Sequence, residues 1–181
     1  MQKILNRIII PILTIFVTTR SSLLYENVTY IANHTQHRFL VCILAILLSY
    51  HYFSSFKIIF KQTHFKNTLT SKLLLLTTLS ITIAFLIPYN PSLYPLFSKL
   101  HVLFSLGGAI VFILLLNIFF WFIQTHHIDL YRKTFGVYLS LISGCISIFV
   151  WFGSVNSLLE LYFILMINLL IEMLLKNSEI F

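Results

Sequence analysis

Apolar residues along this chain gather into six runs, parted by short stretches in which polar residues, prolines or glycines collect. A helix needs about 20 mostly apolar residues to cross the hydrocarbon core of a membrane. The pattern predicts spans at approximately 4–20, 39–60, 70–87, 96–122, 135–152 and 158–175. The chain therefore reads as all-α, a polytopic membrane helix bundle with about six transmembrane helices, forming one integral membrane domain over 1–181.

The first run is the shortest. Ile8 to Val17 is apolar, but Arg20 interrupts it before Leu23 and Leu24, so it reaches spanning length only from about Ile4 or with Arg20 snorkelling outward. Its rival reading is a secretory signal, because basic residues precede a short apolar core. No small-x-small cleavage site follows, and Thr18-Thr19-Arg20 is a poor substitute, so an uncleaved helix is expected.

Between the third and fourth runs lie Pro88, Pro91 and Pro95, three of the four prolines. Each removes a backbone donor and disfavours helix at the residue before it, so the third helix must stop and a short, stiff loop follows. Gly107-Gly108 in the fourth run permits a close backbone approach or a kink. Gly153 to Ser157 reads as a tight turn before the sixth run.

Composition agrees with burial in lipid. Hydrophobic residues make up 59% of the 181, charged residues 9%, and mean hydropathy is +0.94. A soluble domain carries about a quarter charged residues. This chain has too few to coat a water-facing surface.

The net charge of +7 matters through its distribution. Lys3 and Arg7 precede the first run, Lys57, Lys61, Lys66 and Lys72 surround the second connection, Arg132 and Lys133 lie in the fourth, and Lys176 follows the last run. The alternate connections hold only Arg20, Arg38 and Lys99. Lys and Arg accumulate in cytoplasmic loops. Both termini are thus expected in the cytoplasm of a cell-membrane protein, with an even number of spans and no role in nucleic-acid binding. Trp and Tyr also fall at expected interfaces: Trp151, Tyr25, Tyr30, Tyr89, Tyr94 and Tyr162 on the outer side, Trp121, Tyr50, Tyr52, Tyr131 and Tyr138 on the inner.

Within this frame, Ser21 to Gln36 reads as a polar outer loop. It holds two sequons, Asn27-Val-Thr29 and Asn33-His-Thr35, which are glycosylation acceptors only in a eukaryotic secretory protein. Ser49, His51, Ser54, Ser55 and Lys57 read as an inner helix end whose hydroxyls bond back to the preceding turn. Thr77, Thr78, Ser80 and Thr82 suit a helix–helix contact, and Asn117 and Asn168 are expected to bond across helices. Cys42 and Cys145 lie in spans and read as unpaired thiols. His126, His127 and Asp129 read as a solvated inner loop, and Glu172 as a partner of Lys176 at i,i+4.

Enzyme motifs are missing: no phosphate-binding loop, nucleophile elbow, metalloprotease helix or dinucleotide fingerprint occurs. The candidate residues are ionisable groups on the expected outer side, Arg38, Lys99, His101 and Glu160, with His34 and His37 in the adjoining loop. Glu160 and His101 have the chemistry of an acid–base pair or of metal ligands. The structural reading pairs Glu160 with Lys99 or Arg38 and has His101 tether the proline loop. No metal or cofactor is implied by any spacing.

Six spans, a longer first outer loop, and Ile87-Pro88-Tyr89 followed by Leu100-His101 resemble the Frag/DRAM/Sfk-type six-helix membrane proteins and their bacterial relatives. Pro88, His101 and Glu160 carry the resemblance, which implies an architecture more than an activity. Three functions stay open: a non-enzymatic membrane component that binds lipids or protein partners, an outer-leaflet lipid-modifying enzyme using His101 and Glu160, and a small transporter. A transporter requires broken helices and ionisable residues near the midplane.

Overall fold

A computed structural model describes residues 4–20, 22–34, 37–65 and 68–178; the side chains of His34 and Thr68 are outside that description, as are Lys3 and Lys66 of the charge pattern and Thr35 of the second sequon. Among the described residues the chain is helical with no strand. We label the helices α1 (Leu5–Thr18), α2 (Val28–His34), α3 (Arg38–Gln62), α4 (Thr68–Leu86), α5 (Pro95–His126), α6 (Ile128–Phe152) and α7 (Ser157–Ser178). The helices α3 to α7 are each long and apolar enough to cross a membrane, and α1 is a shorter apolar helix.

Helix α1 opens with a π-helical stretch, Leu5–Ile9, in which Ile10 N–H reaches back to Leu5 O. Pro11 explains it: without an N–H the proline cannot bond the preceding turn, and a wider turn absorbs the mismatch. At 1.5 Å per residue α1 covers about 21 Å, short of the roughly 30 Å core. It ends at Thr18, and Arg20 lies just beyond with its guanidinium 3.9 Å above the Phe16 ring.

The helices close a ring in the order α1, α3, α4, α5, α6, α7, with α3 also touching α7. Aromatic side chains fill the seam between α3 and α5. Phe56 meets Phe112 edge-on at 5.6 Å and Phe60 meets Phe119 at 5.2 Å, and just beyond the end of α3 Phe65 meets Phe122 at 4.8 Å. Such tilted pairs add packing energy where lipid offers no hydrophobic drive between helices.

Elsewhere small residues set the spacing. A Cβ on Gly108 would meet Ile81 and Ser80 of α4 at 3.2 Å, so this glycine of the pair serves close approach and α5 stays continuous. Ser49 of α3 bonds the Thr82 hydroxyl of α4 at 2.5 Å, as hydroxyls at a helix contact should. Asn117 accepts from Tyr138 Oη at 2.6 Å across α5 and α6.

The connections differ from the sequence reading in two places. The polar stretch expected to be an outer loop contains α2, a short helix whose Val28, Ile31 and Ala32 are in the core. The inner loop expected at 126–133 is almost entirely helical: α5 runs to His126, α6 starts at Ile128, and His127 alone joins them. His127 Nε2 donates to Thr63 O at 3.0 Å, which ties this corner to the end of α3. The turn after α6 is as expected, with Gly153 at φ 68 closing the helix on Phe149 O.

Candidate functional site

Helix α2 lies across one end of the ring, and the residues singled out from sequence converge on it. Asn27 caps it, its side-chain oxygen accepting from Tyr30 N–H at 2.8 Å. Glu160, in the first turn of α7, accepts from Val28 N–H at 2.7 Å. His101, in the second turn of α5, touches the next residue: its Nε2 is 3.3 Å from Thr29 Oγ1.

The tautomer of His101 follows from its other contact. Nδ1 lies 2.8 Å from Ala84 O, a carbonyl that can only accept, so Nδ1 carries the proton and Nε2 accepts from Thr29. His101 is buried, at 8% exposure, and its ring lies 5.2 Å from that of Tyr89 in the proline loop. Asn33 completes the link, donating to Thr29 O at 2.7 Å and accepting from Tyr89 N–H at 3.0 Å. The hydrogen bond expected from His101 to the proline loop is not made: its bonds go to Ala84 O of α4 and to Thr29 of α2, and it meets the loop only through the Tyr89 ring.

The expected ion pair is not made either. Among the described residues Glu160 has no salt bridge; its bond to Val28 N–H replaces the pairing with Lys99 or Arg38. Arg38 instead donates to Leu86 O at 3.2 Å, closing the C-terminus of α4. Lys99 is exposed. His37 is the residue before α3, and His34 ends α2. Glu172 pairs with Arg7 of α1 and not with Lys176. No three His, Cys, Asp or Glu side chains among the described residues gather to hold a metal. Cys42 and Cys145 are free thiols.

Both sequon asparagines are thus occupied by the fold: Asn27 as a cap and Asn33 as a bridge. The neighbouring strands of loop bind each other as well. Ser157 N–H and Leu158 N–H donate to Glu26 O and Leu23 O, and the buried Asn156 donates to Leu24 O at 3.1 Å.

Beside this assembly an open groove of about 630 Å³ runs down the outer face of α5. Tyr89, Pro91 and Pro95 wall its top, Ser98 and Lys99 stand at its mouth, and Val102, Leu106 and Ile110 continue it. Gly107 contributes no side chain, and a Cβ there would meet nothing within 4 Å.

A second polar group was not anticipated. His51, placed by sequence at an inner helix end, is fully buried, thirteen residues from Arg38 and eleven from Gln62 in α3. Its Nε2 donates to Asn6 Oδ1 at 2.9 Å, and Asn6 Nδ2 donates to Asn168 O at 3.1 Å. Ser55 Oγ lies 3.4 Å from the remaining nitrogen. The side-chain amide of Asn168 and the Tyr52 hydroxyl are buried without a partner. The bond expected from the Asn168 side chain across helices is not made; it is the backbone carbonyl of Asn168 that accepts from Asn6. The sequence signal for His51 was its membership of a polar stripe; its partners lie on other helices.

Comparison with known proteins finds no match, whether to a family model, a curated protein or a solved structure.

Proposed function

We propose that this chain is a multi-pass component of the cell membrane that crosses it six times, keeps both termini in the cytoplasm, and binds lipids or membrane partners without catalysing a reaction. One observation carries the non-catalytic part. His101 and Glu160, the two groups suited to acid–base chemistry, are engaged within the fold: Glu160 accepts from Val28 N–H of α2, and His101 uses one ring nitrogen on Ala84 O of α4 and the other on Thr29 of α2. A general acid or base must instead reach a substrate proton.

The orientation rests on charge. Arg20, Arg38 and Lys99 lie toward the α2 end, whereas Lys57, Lys61, Lys72, Arg132, Lys133 and Lys176 lie toward the other. The layout with Pro88, His101 and Glu160 at the α2 end is consistent with membership of the Frag/DRAM/Sfk-type group, which remains part of the proposal.

His101→Ala tests the reading. The expected variant melts at lower temperature in detergent while the lipid profile of expressing cells stays that of the wild type. A fully stable variant with an altered lipid profile establishes the enzyme instead. For orientation, a cysteine at Ser92 should react with an impermeant maleimide in intact cells, and one at Lys133 only after permeabilisation, with Cys42 and Cys145 replaced by alanine.

A further inference from the structure

The groove on α5 joins three features that call for one kind of ligand. Its mouth is the N-terminal turn of a helix of 32 residues, where the macrodipole and unpaired N–H groups favour negative charge. Lys99 stands there with no acidic partner among the described residues. Ser98 beside it is 5% exposed, and its hydroxyl has no hydrogen-bond partner, although a buried hydroxyl normally finds one.

Below the mouth the lining turns apolar. Val102, Leu103, Leu106 and Ile110 form a track along the helix, and the missing side chain at Gly107 deepens it. An anionic head at a helix N-terminus above a hydrocarbon track is the shape of a phospholipid standing in one leaflet.

We propose that the groove binds one anionic glycerophospholipid from the leaflet at the α2 end. Its phosphate is held by Lys99, the Ser98 hydroxyl and the start of α5, and one acyl chain lies over Gly107. This rests on the lipid-binding reading above and names its site and ligand class. Tyr89 and the prolines wall the headgroup, so the same loop that α2 holds through Asn33 also shapes the site.

The test is native mass spectrometry of the detergent-purified full chain, titrated with phosphatidylglycerol or phosphatidylcholine of matched acyl chains. Wild type should retain one phosphatidylglycerol in preference to phosphatidylcholine. Lys99→Glu should lower phosphatidylglycerol affinity by roughly fivefold or more, from the loss of one basic contact at about 1 kcal/mol, and erase the preference. Gly107→Leu, whose Cβ meets no neighbour, should weaken both lipids by on the order of tenfold while melting like wild type. Equal retention by wild type and both variants overturns the groove and leaves lipid binding at another surface. Equal binding of the two lipids by wild type overturns the anionic specificity. Retention of neither lipid by wild type overturns the lipid-binding reading itself.

Discussion

His51 and Asn6 meet at 2.9 Å in the interior of the bundle, and the bond fixes both partners' roles. Because Asn6 Nδ2 is committed to Asn168 O, its oxygen faces the imidazole, and Nε2 must carry the proton. Through Asn6 the two bonds join the short apolar helix α1 to two longer ones, α3 and α7.

Asn6→Leu should therefore destabilise the protein through the groups it strands. It leaves the His51 N–H without an acceptor in a fully buried position, at a cost of about 1–3 kcal/mol. His51→Leu/Asn6→Leu removes both partners, and its loss should be smaller than the sum of the two single changes. Thermal unfolding of the four proteins in one detergent measures this coupling. Strict additivity would show that the bond contributes nothing.

Glu160→Ala should free the start of α2. Val28 is buried, and its N–H then has no acceptor, again costing about 1–3 kcal/mol. Glu160→Gln keeps a side-chain oxygen for the same N–H and should be milder. Hydrogen exchange over Val28–His34 is the readout, with faster exchange expected in the alanine variant than in the glutamine one. Equal protection in all three proteins would mean that Asn27 and packing hold α2 unaided.

Two glycines of α6 should respond oppositely to alanine. A Cβ on Gly144 would fall 2.2 Å from Tyr162 Oη, so the ring must move and give up its 2.7 Å bond to Ser140 O. Overpacking of this kind costs about 1–3 kcal/mol, more than the gain of about 1 kcal/mol from replacing glycine inside a helix. Gly136 has open space around it, and Gly136→Ala should be neutral or slightly stabilising. Melting temperatures of the two variants decide; a Gly144→Ala protein as stable as Gly136→Ala would show that Tyr162 yields freely.

How much of this was legible in the sequence depended on distance along the chain. The long apolar helices, the stop at Pro88 and the turn at Gly153 follow from local composition and backbone chemistry, and all three are where the sequence puts them. Helix α2 was missed because Val28, Ile31 and Ala32 sit among polar residues, and what buries them is other helices. Glu160 was read with the wrong partner for a related reason. Charge suggests a cation, but the nearest donor is a backbone N–H 132 residues away. Likewise Glu172 has Lys176 in reach along its own helix and pairs instead with Arg7. His101 in turn bonds Ala84 O of α4 and Thr29 of α2, 17 and 72 residues away, and touches the proline loop only through the Tyr89 ring.

The bond between Asn6 and Asn168, 162 residues apart, also orders events during synthesis. Helix α1 emerges from the ribosome long before α7, so its asparagine must wait without its final acceptor. His51 is the first of its two partners to arrive and can hold α1 against α3 in the interim. Closure of the ring then waits for α7, which brings the acceptors of both Asn6 and Arg7.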